Sequence, residues 1–263
     1  MAPYETILVE PVRPHTLLVT MNRPEVGNAR NTLMGREMLA LWTRLIAEPG
    51  DVRCVVLTGA GERIFCAGGD LKERRAMVRA EWEAQHEIFE RSRDALLALP
   101  MPVIAAINGH AYGGGCETAL VCDFAYAART ARFALPEVTL GIMPGAGGTQ
   151  FLPRAVGERR AKEIILTGKP FSAAEAAAWG LVNQVCEPDA LMGAVLATAA
   201  TICGNAPLAV RQAKKSIHHG MQGDIRSGLI LEIEAYNRLV DTDDRREGVL
   251  AFNEKRPPVF RGT

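Results

Sequence analysis

Two short stretches, Val52–Leu57 and Val103–Ile107, are almost wholly apolar, and each runs into Gly or Asn-Gly. A strand exposed on one face alternates polar and apolar residues, whereas a strand covered on both faces reads as a continuous apolar run. Between the two lies a helical stretch, about Arg79 to Leu99, which gives the segment the size of a strand–helix–strand unit. The expected class is therefore α/β, with a sheet that helices bury from both sides. Ligands of such sheets bind beyond the carboxyl ends of the strands, and glycine-rich segments follow both strands here.

The flanking regions read consistently with this. Tyr4–Glu10 and Thr16–Met21 form an antiparallel pair around a turn at Pro11–Pro14. Met34, Met38, Leu41 and Leu45 repeat at three- and four-residue spacing, so Thr32–Glu48 is a helix with one buried stripe. Phe124–Ala128 is a further short strand. Beyond it the chain turns helical: Ser172-Ala173-Ala174-Glu175 is a capping box whose helix Gly180 closes, and Asp189 is expected to cap the next.

At 263 residues the chain fits one α/β catalytic domain with appendages, and no linker, low-complexity tract or repeat divides it. Lys plus Arg and Asp plus Glu balance at 30 each, so the bulk charge calls for neither nucleic acid nor a membrane surface. No run reaches the length of a membrane span, and Met1 to Glu10 lacks the pattern of a secretory signal. A cytoplasmic location is the expectation. Six dispersed cysteines read as reduced thiols; Cys66 and Cys116, although near the glycine-rich segments, read as packing.

Two glutamates carry the strongest chemical signal. Glu117 follows Gly113-Gly114-Gly115-Cys116 in the first turn of an expected helix, Cys116–Cys122, and Glu137 follows Leu135-Pro136; both have apolar neighbours. Carboxyls in such settings can have separated pKa values, one ionised and one protonated near neutrality, which is what an acid and a base require. The loop Cys66-Ala67-Gly68-Gly69-Asp70 lets the backbone approach a ligand, so the Gly69 N–H is a candidate donor. Gly114, at a helix amino terminus, is the candidate second donor. Asp70 and Glu73 read as caps of a short helix running to about Met77, and His110 as a packed or solvent-facing residue.

Nucleophile elbows, phosphate loops and zinc helices are absent, Gly141–Gly148 holds no complete dinucleotide motif, and His86-Glu87-Ile88-Phe89-Glu90 is only a partial zinc look-alike. No metal, nicotinamide or flavin is expected.

Taken in order, Asn22-Arg23-Pro24 with Asn28-Ala29-Arg30-Asn31, Phe65–Glu73, Asn108–Glu117, Pro136-Glu137 with Gly141–Gln150, and the closing Glu247 to Phe260 resemble the enoyl-CoA hydratase/isomerase, or crotonase, family. The likeness spans essentially the whole chain. It implies a spiral of ββα repeats with a C-terminal helical region that builds trimers, often paired into hexamers. On that basis residues 1–195 are the expected catalytic core and 196–263 the oligomerisation region. The resemblance further implies an oxyanion hole at the Gly69 and Gly114 N–H groups, with Glu117 and Glu137 managing the water added to a 2-enoyl-CoA. Coenzyme A then enters as part of the substrate, with no separate cofactor. Ala67, Gly69, Asp70, Leu71, Lys72 and Gly114 are the expected thioester and CoA contacts; Arg30 reads either as a phosphate partner or as a solvated charge.

Position 69 is glycine where many hydratases carry alanine. The glutamate pair favours a hydratase over an isomerase, in the setting of fatty-acid β-oxidation. Gly69-Asp70-Leu71-Lys72-Glu73-Arg74 and the C-terminal pattern look especially like methylglutaconyl-CoA hydratases, the alternative substrate reading. Some of those bind AU-rich RNA through a lysine-rich helix, but the matching helix here has Arg36 and Arg44 and no lysine, so RNA is not an expected partner.

Overall fold

A computed structural model describes residues 4–263. Its strands are β1 (Ile7–Arg13), β2 (Thr16–Met21), β3 (Cys54–Gly59), β4 (Ile64–Cys66), β5 (Val103–Ile107), β6 (His110–Tyr112), β7 (Phe124–Ala128), β8 (Arg132–Ala134), β9 (Phe171–Ser172) and β10 (Gln184–Cys186). The helices are α1 (Thr32–Ala47), α2 (Leu71–Arg74), α3 (Arg79–Leu97), α4 (Gly114–Val121), α5 (Gly148–Val156), α6 (Glu158–Thr167), α7 (Ala173–Ala178), α8 (Leu191–Gly204), α9 (Pro207–Gly220), α10 (Ile225–Asn237) and α11 (Asp243–Glu254).

The strands build two sheets, one ordered β1-β2-β3-β5-β7-β10 and one ordered β4-β6-β8-β9. In the larger sheet only β1 and β2 pair antiparallel; every later neighbour is parallel. Successive segments contribute alternately to the two sheets. β3 then β4, β5 then β6, and β7 then β8 each leave one strand in the large sheet and one in the small, and a helix follows each pair. This is the expected ββα spiral.

The apolar runs are explained by their burial. In β3, Val55 and Leu57 join the main core with Met34, Leu41 and Trp42 of α1, while Cys54 and Val56 face a second core under α8. β5 divides in the same way: Val103, Ala105 and Ile107 on one side, Ile104 and Ala106 on the other. The second layer comes from α8, whose Leu191, Val195, Ala199 and Cys203 are buried there. The division expected between residues 195 and 196 falls inside this helix, which covers the sheet along its whole length.

Several boundaries differ from the sequence reading. β1 begins at Ile7 and continues through Pro11 to Arg13 with a register shift between those two, where a turn was expected. Pro11 is tolerated because β1 is an edge strand and one missing N–H disrupts no central ladder. α2 stops at Arg74 rather than Met77 because α3 starts at Arg79, with the Glu81 carboxylate accepting the Val78 N–H at 3.0 Å. Asp189 does not cap α8; the Glu187 carbonyl accepts from Ala190 and Leu191 instead. The Ser172–Glu175 capping box forms as expected.

Gly115 shows how tightly the two sheets' loops meet. A Cβ at this position would collide with the Cys66 carbonyl oxygen at the end of β4. In an unconstrained helix Gly→Ala gains about 1 kcal/mol. Here Gly115→Ala is expected to lose about 2 kcal/mol or more by overpacking, read by thermal or urea denaturation; unchanged stability would contradict the close approach.

Candidate active site

The site grows from the parallel pairing of β4 with β6, which sets the loops after these strands side by side. After Cys66 the chain turns through Gly68 at φ +99°, a backbone conformation that glycine adopts without steric penalty. A Cβ on Gly68 would lie 3.0 Å from the Tyr112 carbonyl oxygen and 3.2 Å from the Gly114 nitrogen. Gly69 then forms a parallel bridge with Arg30. The bridge's bonds are made by its neighbours: Arg30 N–H donates to Gly68 O at 2.8 Å and Asp70 N–H to Arg30 O at 2.9 Å. The Gly69 N–H is therefore turned away from this pairing and meets no acceptor among the described residues.

The second loop ends at Gly113, with φ 52°, and α4 begins at Gly114, two residues earlier than expected. The first N–H groups of a helix have no intrahelical partner, and Gly114 N–H donates to nothing among the described residues. Two unpaired amides thus stand on abutting loops.

Glu117 is 3% exposed in the first turn of α4. Its Oε1 accepts from Ala146 N–H at 2.7 Å and Gly148 N–H at 2.8 Å, which fixes the carboxylate's orientation. Position 148 needs a small residue, since a Cβ there would lie 3.1 Å from that oxygen. Glu137 opens a short 3₁₀ turn, Glu137–Leu140, and its Oε1 lies 3.0 Å from where a Cβ on Gly113 would be. Its buried Oε2 has no hydrogen-bond partner. Burial, reinforced by the nearby Glu117 charge, pushes Glu137 up to about 7.

Both glutamates line one cleft of about 440 Å³, a size suited to a small organic group. Ala67, Gly69, Gly113 and Gly114 form the amide side. Trp82, His86 and Phe89 face it from α3 at spacings of four and three, and Leu140, Ile142 and Met143 close it opposite. Two arginines enter as well. Arg30 and Arg74 lie over the Phe89 ring, with Cζ 5.1 and 5.6 Å from its centroid. Burial, and then the Arg30 charge, draw Arg74 below the usual guanidinium range.

The enoyl-CoA hydratase/isomerase family model matches residues 15–263. The chain belongs to the enoyl-CoA hydratase/isomerase family. It is 46% identical over 258 residues to the Bacillus subtilis protein YngF, assigned to the same group, covering 98% of this chain and 99% of that one. It is 44% identical over 239 residues to the short-chain-enoyl-CoA hydratase of Clostridium acetobutylicum, covering 91% of each. The crystal structure of a Bacillus anthracis enoyl-CoA hydratase superposes with a TM-score of 0.96 at 43% identity, covering 98% of this chain and 100% of that one.

For this hydratase/isomerase chain, the expected residues are largely brought together. Arg30, Ala67, Gly69, Leu71, Gly114, Glu117 and Glu137 all line the cleft. Asp70 and Lys72 do not. The Asp70 carboxylate accepts from the Lys72 and Glu73 amides, capping α2, and pairs with Arg23 at 2.9 Å. Glu73 is not the second cap; it accepts from Thr32 N–H and from Gln85, tying α2 to α1 and α3. Cys66 and Cys116 are buried, and burial raises both thiols, as packing residues. His110 Nδ1 accepts the Arg132 N–H at 3.2 Å, and its ring stacks on Tyr112. Sequence reasoning missed Arg74, the α3 face and the amides of Ala146 and Gly148. The spacing of Trp82, His86 and Phe89 was the available signal, but polar neighbours obscured it.

Glu137 also shapes stability. An unfolded carboxyl near 4.5 loses its proton before the folded one near 7, so folding stability contributed by this group falls as pH rises between those values and is flat above them. Glu137→Gln removes that loss. The melting temperature of the variant is expected to gain on that of the parent from about pH 4.5 to about pH 7; a pH-independent difference would show that the carboxyl is not desolvated in the fold.

Proposed function

We propose that the chain adds water across the 2,3-double bond of a 2-enoyl-CoA to give a 3-hydroxyacyl-CoA. The observation that carries the reading is the meeting, in one cleft, of two unpaired amides and two carboxyls in different environments. The Gly69 and Gly114 N–H groups donate to the thioester oxygen, and they bind most strongly when charge gathers there as C3 is attacked. Glu117, with Oε1 engaged by two amides, keeps Oε2 for a water whose oxygen bonds to C3 while its proton passes to the carboxylate. Glu137, poised near neutrality, delivers a proton to C2 as the enolate collapses. Proton exchange between the carboxyls and solvent restores both. Dehydration runs the same steps backward.

The C-terminal helices support assembly with further copies. Ile225, Ile233 and Phe252 on α10 and α11 are 79%, 57% and 85% exposed in the single chain, more apolar surface than an isolated subunit usually presents. A homotrimer, or a hexamer of paired trimers, is the proposed state.

Replacing Glu117 or Glu137 by Gln is expected to lower hydration of crotonyl-CoA by about 100-fold or more, followed as loss of the conjugated double bond in variants of unchanged oligomeric state. Near-normal turnover in both would remove the pair from the mechanism. At position 69 the donor and the side-chain space can be tested separately. A Cβ on Gly69 would lie 2.9 Å from Arg74 Cζ, the mobile end of a long side chain, so Gly69→Ala is expected to retain most activity after Arg74 shifts. Gly69→Pro deletes the N–H and is expected to abolish it. An active Pro variant beside an inactive Ala variant would locate the function of residue 69 in its space rather than its amide.

A further inference from the structure

We infer that Arg74 takes part in the hydration step through its charge: laid against Gly69, its guanidinium stabilises the thioester oxygen as that oxygen becomes an enolate. The inference rests on the hydratase reading and adds to the two amide donors a group that reading does not use.

Arg74 is the last residue of α2, a single turn that buries none of its residues, yet its side chain lines the cleft. A Cβ on Gly69 would lie 2.9 Å from Arg74 Cζ, 3.1 Å from Nη1 and 3.2 Å from Nη2. The near-equal distances put the guanidinium face-on over the glycine whose N–H is one of the two donors. A side chain at position 69 would lift it without removing it, because Nε is tethered. The tether is Gln85, which is 2% exposed and does not itself line the cleft. Its Oε1 accepts the Arg74 Nε–H at 2.8 Å, while its Nε2 donates to Thr32 Oγ1 and to Glu73 Oε2, each at 2.8 Å. An arginine Nε only donates and a carboxylate oxygen accepts, so the Gln85 amide has one orientation and holds Arg74 in one direction. The Phe89 ring supports the guanidinium from another side, 5.6 Å from centroid to Cζ.

The surrounding charges decide whether such a cation can accelerate the reaction. Burial and the Arg30 charge draw Arg74 down, the Glu73 and Glu117 charges hold it up, and an arginine stays protonated throughout. A cation that favoured ionised Glu117 as much as the enolate would stabilise both ends of the step alike and leave the barrier unchanged. During addition the water oxygen bonds to C3, a water proton passes to Glu117, and the C2–C3 π electrons move onto the thioester oxygen. Negative charge thus leaves Glu117 and arrives at the oxygen held by Gly69 and Gly114. Arg74 lies flat on Gly69 and forms no ion pair with Glu117, so it favours the arrangement with the charge on oxygen. Trp82, Phe89, Leu140, Ile142 and Met143 keep the cleft apolar, which leaves that attraction weakly screened. Proton delivery from Glu137 to C2 then discharges the enolate.

Arg74→Met is expected to lower kcat on crotonyl-CoA by about 10-fold or more with a smaller change in KM, and Arg74→Lys to recover part of the loss. Arg74→Gln serves as a second charge-removing variant, and all are compared at unchanged oligomeric state. A loss confined to KM would assign the arginine to binding of the CoA moiety and overturn the inference. Equal loss in the Lys and Met variants would assign it to shape and overturn it too. Acetoacetyl-CoA reads the enolate without hydration, since loss of one C2 proton to the buffer gives an enolate with its own ultraviolet absorbance. On saturated protein at one fixed pH, the ratio of enolate to neutral ligand is expected to fall about 10-fold or more in Arg74→Met. An unchanged ratio overturns the inference whatever the turnover. If the parent protein hydrates no enoyl-CoA and the ratio still falls, the role of Arg74 at the oxyanion stands and the hydratase reading alone fails.

Discussion

The parallel pairing of β4 with β6 is the constraint on which the rest of the site depends. Its register, Ile64 with His110 and Cys66 with Ala111, decides that the chain leaving one strand packs directly against the chain leaving the next. Glycine at 68 and 115 is the consequence: a side chain at either would meet the neighbouring loop's backbone. Once the loops are in contact, the Arg30 bridge uses the Gly68 carbonyl and the Asp70 N–H and leaves the Gly69 N–H facing away, while the start of α4 leaves the Gly114 N–H unpaired among the described residues. The two donors are by-products of backbone pairing elsewhere, so they are held rigidly and without help from any side chain.

The two carboxyls illustrate how one residue type acquires two characters. Glu117 is the more deeply buried, yet backbone amides from the segment before and at the start of α5 satisfy one of its oxygens. Glu137 is less buried and has an oxygen without a partner, and there the cost of desolvation appears as a raised pKa. The two settings differ in hydrogen-bond supply, which is set by where the Gly145–Gly148 segment passes.

Charge balance tells a similar story at larger scale. The chain is neutral overall, with 30 basic and 30 acidic residues, and many pairs are formed on its surface. Such exposed pairs contribute little. In the cleft the charges are gathered rather than spread: Arg30 and Arg74 converge on Phe89, and Glu90, Glu117 and Glu137 line the same space. That clustering is a property of arrangement, invisible in the sum.

The sequence by itself determined the class of the fold, because a strand buried on both faces reads as a near-continuous apolar run, as β3 does from Cys54 to Leu57 and β5 throughout. It also marked Gly69, Gly114, Glu117 and Glu137, since glycine pairs and carboxyls in apolar surroundings are local signals. Local capping chemistry was legible where the reach is three residues, as at Ser172, and misread at Asp189, where a backbone carbonyl from a preceding turn took the role. Only the tertiary structure decided that Glu73 ties helices together, that Arg74 and Arg30 share a ring 15 or more residues from either, and that the Ala146 and Gly148 amides reach back to Glu117. Those relations connect segments distant in sequence through side chains whose direction depends on packing. No periodicity or spacing encodes them, because the partner that fixes each one lies on another element.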